Sequence, residues 1–227
     1  MNFNSNDDHN IYSTKYQFTL KGMMRFELIS LYGRLFLNKK PKIQNGSSLL
    51  NLGCGSNILE GWVNADFYSG VKFWRKNTRR PAWMLDLRFP LKCDDNFWDG
   101  VFTEHTLEHL YPDQVLALLK ELNRTMKKGA WLRISVPDLA KYVDYYSGKP
   151  VNHEFSIWPT GCEAIHSVTQ TYAHVSAWDS KLLSRFLKEA GFANTHEVAF
   201  REGADVRLLK DSMERRWESL YLEAQQI

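Results

Sequence analysis

Gly53-Cys54-Gly55 follows the short apolar run Leu49 to Leu52, and Asp66 closes the next apolar run. Glycines let the chain turn sharply and let a ligand approach the backbone, because no Cβ intervenes. A carboxylate at the next strand end can accept both hydroxyls of a ribose. Asp86, followed by Leu87, ends a third run. Its carboxylate could take the exocyclic amine of an adenine while the neighbouring amide donates to a ring nitrogen. A fourth run ends in Thr103-Glu104-His105 and a fifth in Pro137-Asp138. Each of these features alone is an ordinary turn. The order glycine turn, acid, acid, polar cluster is more specific, and it describes nucleoside binding beside groups able to move a proton.

These residues need a scaffold that brings strand ends to one edge. SLLNL, WVNADF, AWMLDL, WDGVFTE and AWLRISVP read as five short buried strands. PDQVLALLKELNRTMKKG reads as a helix with Pro112 in its first turn and Val115, Leu118, Leu119, Leu122 and Met126 on one face. Lys127, Lys128 and Gly129 are expected to end it. DSKLLSRFLKEAGF reads as a second helix, with Asp179 as cap, Leu182, Leu183, Phe186 and Leu187 facing inward and Gly191 past its end. HEVAF and WESLYLEA read as the last two strands. Strands alternating with helices predict a doubly wound, mostly parallel α/β sheet whose ligands lie beyond the strands' C-terminal ends.

Two regions stand outside this alternation. Residues 1 to about 14 are polar and expected to be disordered. Phe26, Ile29, Leu31, Leu35 and Phe36 then recur at helical spacing before Lys39-Lys40-Pro41, which predicts an amphipathic helix. It either packs on the domain or, through Lys21, Arg25 and Arg34, meets a partner or a membrane surface. Residues 138–178 give no clear periodicity but gather aromatics and histidines. The reading is an extension over 1–46 and a catalytic domain over 47–227, with 138–178 as an acceptor-side insertion.

The totals limit the function. The 227 residues form one domain with an extension, and 44% hydrophobic with 24% charged residues is globular. A net charge of +3 does not by itself argue for nucleic acid. Cys54, Cys93 and Cys162 form no C-x-x-C pair, which argues against a disulfide framework or a cysteine-rich zinc site. The polar N-terminus is not a signal peptide, and no apolar run reaches the ~18 residues of a membrane span. A cytoplasmic location, peripheral to a membrane at most, is expected.

A nucleoside smaller than a dinucleotide fits this spacing better. In G-x-G-x-x-G the last glycine opens a long helix, but that position here is Ile58, and Asp66 arrives too early for a full crossover helix. The segments LNLGCG, GWVNADFY, DLRFPL, FWDGVFTEHTLEHL and LRISVPDLAKYVDYY, with the closing RRWESLYLEA, together resemble a class I S-adenosylmethionine-dependent methyltransferase. They are most similar to the branch with a Gly-Trp-x-Asn-x-Asp second strand and a Glu-His-x-Leu-Glu-His segment, often associated with surface glycan synthesis. The resemblance implies a Rossmann-like, seven-stranded sheet with its last strand antiparallel. It implies S-adenosylmethionine as cofactor and S-adenosylhomocysteine as product. It places Gly53, Cys54 and Gly55 under the methionine part, Asp66 and Phe67 at the ribose, Asp86 and Leu87 at the adenine, and Glu104 by the amino-acid end or methyl group. The position two before the first glycine, often acidic in the wider family, is Asn51 here.

His105, one residue past Glu104, is the candidate base or acceptor contact. With His109 it forms HTLEH, a literal H-x-x-E-H, which on a helix would set both histidines on one face as zinc ligands. A metal-dependent hydrolase is therefore the alternative, and a silent nucleoside-binding module another. No residue is assigned to a metal, although a divalent metal at this segment stays open. Tyr142, His166, Tyr172 and His174 are candidate acceptor contacts, since aromatic faces stack on sugars and histidines take hydroxyl protons. The basic stretch Val71 to Arg80, with Phe73 and Trp74 interleaved, could clamp a phosphate, meet an anionic surface or bind single-stranded RNA. The expectation is O-methylation of a sugar or a sugar on a small-molecule or lipid carrier, with no nucleic-acid partner.

Overall fold

The structure is a computed structural model that describes residues 19–43, 46, 48–68 and 81–227. The expected disorder of residues 1 to 14 and the basic stretch Val71 to Arg80 lie outside the described residues. Strands β1 (Leu49–Leu52), β2 (Val63–Asp66), β3 (Trp83–Met84), β4 (Trp98–Glu104), β5 (Met126–Pro137), β6 (Ala193–Glu197) and β7 (Ser219–Gln225) form one sheet in the order β3-β2-β1-β4-β5-β7-β6. The β3-β2-β1-β4-β5 pairings are parallel, and β7 runs antiparallel to both β5 and β6. The first three strands are short and fully or mostly buried, as strands covered on both faces must be. The order reverses between β1 and β4, which makes their C-terminal ends the switch point where ligands bind.

Helix α2 (Pro112–Thr125) buries Val115, Leu118, Leu119 and Leu122 on the sheet, the stripe its spacing predicts. Each such leucine contributes about 2 kcal/mol by leaving water. The chain leaves the helix earlier than expected. Lys127, Lys128 and Gly129 belong to β5, where Met126 already pairs with Trp98 and Lys127 reaches Asp99 at 2.6 Å. Helix α5 (Ser180–Glu189) covers the same core with Leu183 and Leu187, capped by Asp179 Oδ1 accepting from Leu182 N at 2.7 Å. Strand β6 begins at Ala193, upstream of the expected HEVAF, because pairing with β7 starts at Ala193 against Gln225.

Residues 138–178 fold into α3 (Leu139–Tyr146) and α4 (Gly161–Gln170) around a second core of Tyr142, Phe155, Trp158, Ala164 and Val168. Before the sheet, α1 (Leu20–Tyr32) continues into a π-helical turn, Gly33–Leu37. It docks through its small residues. Ser30 is fully buried, and a Cβ on Gly33 would fall onto the ring of buried Tyr68. Of the predicted stripe, Leu31, Leu35 and Phe36 are exposed and do not pack on the domain.

Candidate active site

The glycine turn after β1 is fixed by β2. Gly53 N and Cys54 N both donate to Ala65 O, at 2.8 and 3.0 Å. Gly53 sits at φ +71° and Gly55 at +50°, conformations that side chains resist. Gly55 N then donates to Asp66 Oδ2 at 2.5 Å, so the turn and the acid at the next strand end are one unit. Asp66 Oδ1 accepts from Phe67 N at 2.5 Å. Residues 53–62 pass from β1 to β2 in turns, with no α-helix, the short connection that Ile58 and the early acid predict.

Asn51 does not open onto this turn. It is buried in β1, and its amide donates to Asn57 O at 2.8 Å and to Asn64 Oδ1 at 2.9 Å, which folds the connection back onto the sheet. Cys54 is also buried, and desolvation, aided by the Asp66 charge, pushes its thiol up to about 12.

Asp86 lies just past β3, but its carboxylate is already engaged. Oδ2 accepts from Ser30 Oγ at 2.6 Å and from Arg88 Nη2 at 2.7 Å, while Oδ1 accepts from Arg88 N and Nε, both at 3.0 Å. Burial opposes its charge, yet the bonds from Arg88 and Ser30 outweigh that and lower its pKa. Arg88 also pairs with Glu27 and lies over the Phe26 ring, which stacks on Phe67 at 4.4 Å. The N-terminal helix therefore closes over the edge where Asp66, Phe67 and Asp86 stand. Leu87 packs half-buried against the core.

Glu104 ends β4 and accepts from Ser212 N at 2.8 Å and from Ser212 Oγ. Ser212 is held there by its neighbour. Asp211 forms a two-pronged bond with buried Arg133, at 2.7 and 2.6 Å, and Arg133 Nη1 donates to Glu223 at 2.9 Å. Arg133 and Glu223 are direct cross-strand partners on β5 and β7, and all three charges are fully buried. Burial raises the Glu104 pKa against the lowering effect of the Ser212 bonds.

His105 takes φ +47°, a strained conformation outside glycine and typical of functional positions. Its Nε2 is 2.8 Å from Ser219 Oγ, and that hydroxyl donates to Arg215 O at 2.6 Å. The hydroxyl hydrogen is thus spent, so Nε2 carries the imidazole hydrogen and Nδ1 holds the lone pair. Burial, reinforced by Arg215, holds His105 neutral, well below its ordinary value. Nδ1, 3.5 Å from Glu108 Oε1, is the nitrogen open to a proton, although burial disfavours the imidazolium form.

HTLEH does not form a helix. Leu107–His109 is a single 3-10 turn, so His105 and His109 do not share a helical face and the zinc-peptidase reading loses its geometric basis. Glu108 is buried beneath this turn, and desolvation raises its pKa to about 8. His174 comes alongside, since Val175 N and Ser176 N donate to Glu108 O at 2.8 and 3.2 Å. Loss of water around the ring nitrogens lowers His109, although the residue as a whole is exposed, and burial takes His174 down to about 4.

The other acceptor-side candidates scatter. Tyr142 belongs to the second core, and its hydroxyl donates to Glu218 at 2.6 Å, so it is a packing residue rather than an acceptor contact. His166 is exposed on α4. Tyr172, at φ +58°, is partly exposed with its ring 5.9 Å from His174. Asp138 caps α3, accepting from Ala140 N at 3.0 Å. The spacing gave no sign of Ser30 and Ser212, which reach the site from distant segments. Arg88 lies within DLRFPL, and Arg215 and Ser219 within the closing RRWESLYLEA, but neither segment showed what these side chains do.

A parallel sheet with a switch point, a glycine turn bonded to an acid, and a neutral histidine beyond the fourth strand define a nucleoside-binding α/β enzyme. Residues 23–197 match the family described as a methyltransferase domain, and the chain belongs to that family. No curated protein matches the sequence. Among solved structures it is similar to a SAM-dependent methyltransferase from Archaeoglobus fulgidus, at 18% identity over 95% of this chain and 98% of that one, with a TM-score of 0.48. A SAM-dependent methyltransferase from Aquifex aeolicus is similar at 15% identity over 96% and 99%, TM-score 0.47. Phosphoethanolamine N-methyltransferase 2 of Haemonchus contortus, solved with S-adenosyl-L-methionine, is similar at 14% identity over 96% of this chain and 60% of that one, TM-score 0.47.

Proposed function

We propose that the chain transfers the methyl group of S-adenosylmethionine to a hydroxyl of a sugar, free or carried on a nucleotide or lipid, and releases S-adenosylhomocysteine. The observation that carries the reading is the Gly55 to Asp66 bond at the switch point of a methyltransferase-family sheet. The turn leaves the backbone open to a ligand, and the acid beside it can take ribose hydroxyls by exchanging its present amide partners. The sulfonium carbon is already activated, so the enzyme's work is alignment and removal of one proton. Neutral His105 supplies the base through Nδ1. The choice of a sugar rests on the glycan-linked resemblance of the GWVNADFY and EHTLEHL segments.

A lipid carrier is supported by α1. Leu20, Met23, Met24, Leu28, Leu35 and Phe36 are exposed, and Lys21 and Arg25 stand among them. An apolar face edged by cations suits the boundary of an anionic bilayer.

Calorimetric titration with S-adenosylhomocysteine, beside Asp66→Ala, tests the cofactor site. Saturable binding that the variant loses supports it. No binding by the folded protein sinks it. Transfer of labelled methyl to sugar nucleotides or lipid-linked sugars, lost in His105→Ala with cofactor binding retained, separates an enzyme from a silent binding module.

A further inference from the structure

Three groups from two distant segments converge beside the β4 end. A carboxylate oxygen of Glu108 and one ring nitrogen each of His109 and His174 lie within 4.8 Å of one another. Glu108 is buried, and neither of its oxygens accepts a hydrogen bond from another residue. Its nearest charged-type neighbours are His105 Nδ1 at 3.5 Å and His174 Nε2 at 4.0 Å. A carboxyl group withdrawn from water without donors is costly, and such groups are retained where something else satisfies them.

The histidines are prepared in the same sense. His174 Nδ1 is 2.9 Å from Val168 O, and a carbonyl only accepts, so Nδ1 carries the hydrogen and Nε2 presents its lone pair toward Glu108. His109 likewise bonds the Ala173 backbone, a contact that favours its protonated ring nitrogen there and leaves the other free. A ring N–H fixed by a backbone carbonyl is the outer-shell arrangement that orients metal-ligating histidines. The two rings stand 5.0 Å apart at 72°, converging on the carboxylate instead of stacking flat. Glu108 and His174 are buried while His109 is exposed, so the cluster is closed on one side and open on the other.

We propose that Glu108, His109 and His174 bind a divalent first-row cation of the zinc type. Two imidazoles and one carboxylate are the donor set such ions prefer, and three protein ligands leave a position open to an oxygen ligand. The set is not the linear H-x-x-E-H: His105 Nδ1 lies 3.5 Å from Glu108 but outside the three groups whose ligand atoms lie within 4.8 Å of one another, while His174 joins from beyond α4. His105 Nδ1 lies 3.5 Å from Glu108 Oε1, so an acceptor hydroxyl held by the ion would lie near the proposed base. That last point rests on the methyl-transfer reading, whereas the metal site itself does not.

The test is titration of the chelator-stripped, full-length protein with Zn²⁺, followed by calorimetry, and with Co²⁺, followed by its visible absorption. One ion per chain is expected, with Co²⁺ giving the intense bands of a low-coordinate histidine site. His109→Ala and His174→Ala should each weaken binding by at least about 100-fold, more than loss of an outer-shell partner costs. His166→Ala, on the exposed face of α4, should bind as the wild type does. Circular dichroism checks each variant's fold, and exposed His109 provides a ligand whose loss should not disturb packing. Substoichiometric binding, or binding that survives both ligand substitutions, would overturn the site. S-Adenosylhomocysteine binding in the stripped protein is read separately, so failure of the metal site leaves the cofactor result intact.

Discussion

Ser30 Oγ donates a 2.6 Å hydrogen bond to Asp86 Oδ2 across 56 residues of sequence. The bond ties the N-terminal helix to the acid at the third strand end. With Arg88 on the same carboxylate, every good acceptor direction of Asp86 is filled by the chain itself. If Asp86 takes the adenine amine, that amine has to replace Ser30 or Arg88, and α1 and the nucleoside would then compete for one group.

Docking of α1 should therefore depend on its small residues and not on its leucines. Gly33→Leu would drive a side chain into Tyr68 and Ser30→Ala would drop the bond to Asp86. Both are expected to speed hydrogen exchange across Leu20–Tyr32, with Leu35→Ser leaving it unchanged. Equal exchange in all three would show that other contacts hold the helix.

Asp86 also sets an acid limit. Its folded pKa lies below the ordinary carboxyl value of 3.8, against burial, because Arg88 and Ser30 bond the charged form. A depressed carboxyl contributes stability that is fully present above the unfolded value and is lost as pH falls through the folded one. Unfolding free energy should thus decline below about pH 4. Asp86→Asn should be less stable at neutral pH and show a shallower acid slope. An unchanged slope would remove Asp86 from the account.

The two glycines of the turn should respond differently to alanine. At Gly55, φ +50°, a Cβ meets nothing within 4 Å, so only the backbone penalty of about 1 kcal/mol applies. At Gly53, φ +71°, a Cβ would also fall onto the Thr106 side chain, so the loss should exceed about 2 kcal/mol. Urea denaturation of Gly53→Ala and Gly55→Ala compares them, and equal midpoints would contradict the packing shown.

Arg133 neutralises two buried acids, Asp211 at 2.6 Å and Glu223 at 2.9 Å. Arg133→Met leaves both unpaired and should cost about 3–5 kcal/mol. Because Asp211 places Ser212 against Glu104, the variant should lose S-adenosylhomocysteine affinity as well as stability. Replacing the trio together by apolar residues should recover much of the stability but not the affinity.

The sequence by itself determined what depends on short-range pattern. Val115, Leu118, Leu119 and Leu122 share one face because a helix repeats every 3.6 residues, and Asp179 caps because its side chain reaches the free amides three residues on. The glycine turn, Asp66 and Asp86 were legible for the same reason: in an alternating α/β chain, strand ends fall on one edge. Tertiary structure decided what depends on segments meeting. Tyr142 carried the same signal as an acceptor contact, yet packing with Phe155 and Trp158 made it core. Asn51 sat beside the glycines, but pleat alternation turned it toward Asn64. The apolar residues of α1 were legible as a stripe, and only the fit of Gly33 onto Tyr68 turned that stripe outward. His174 and Glu108 share no local pattern. Only the closure of the chain beyond α4 onto the 3-10 turn after β4 brings an imidazole lone pair to a buried carboxylate.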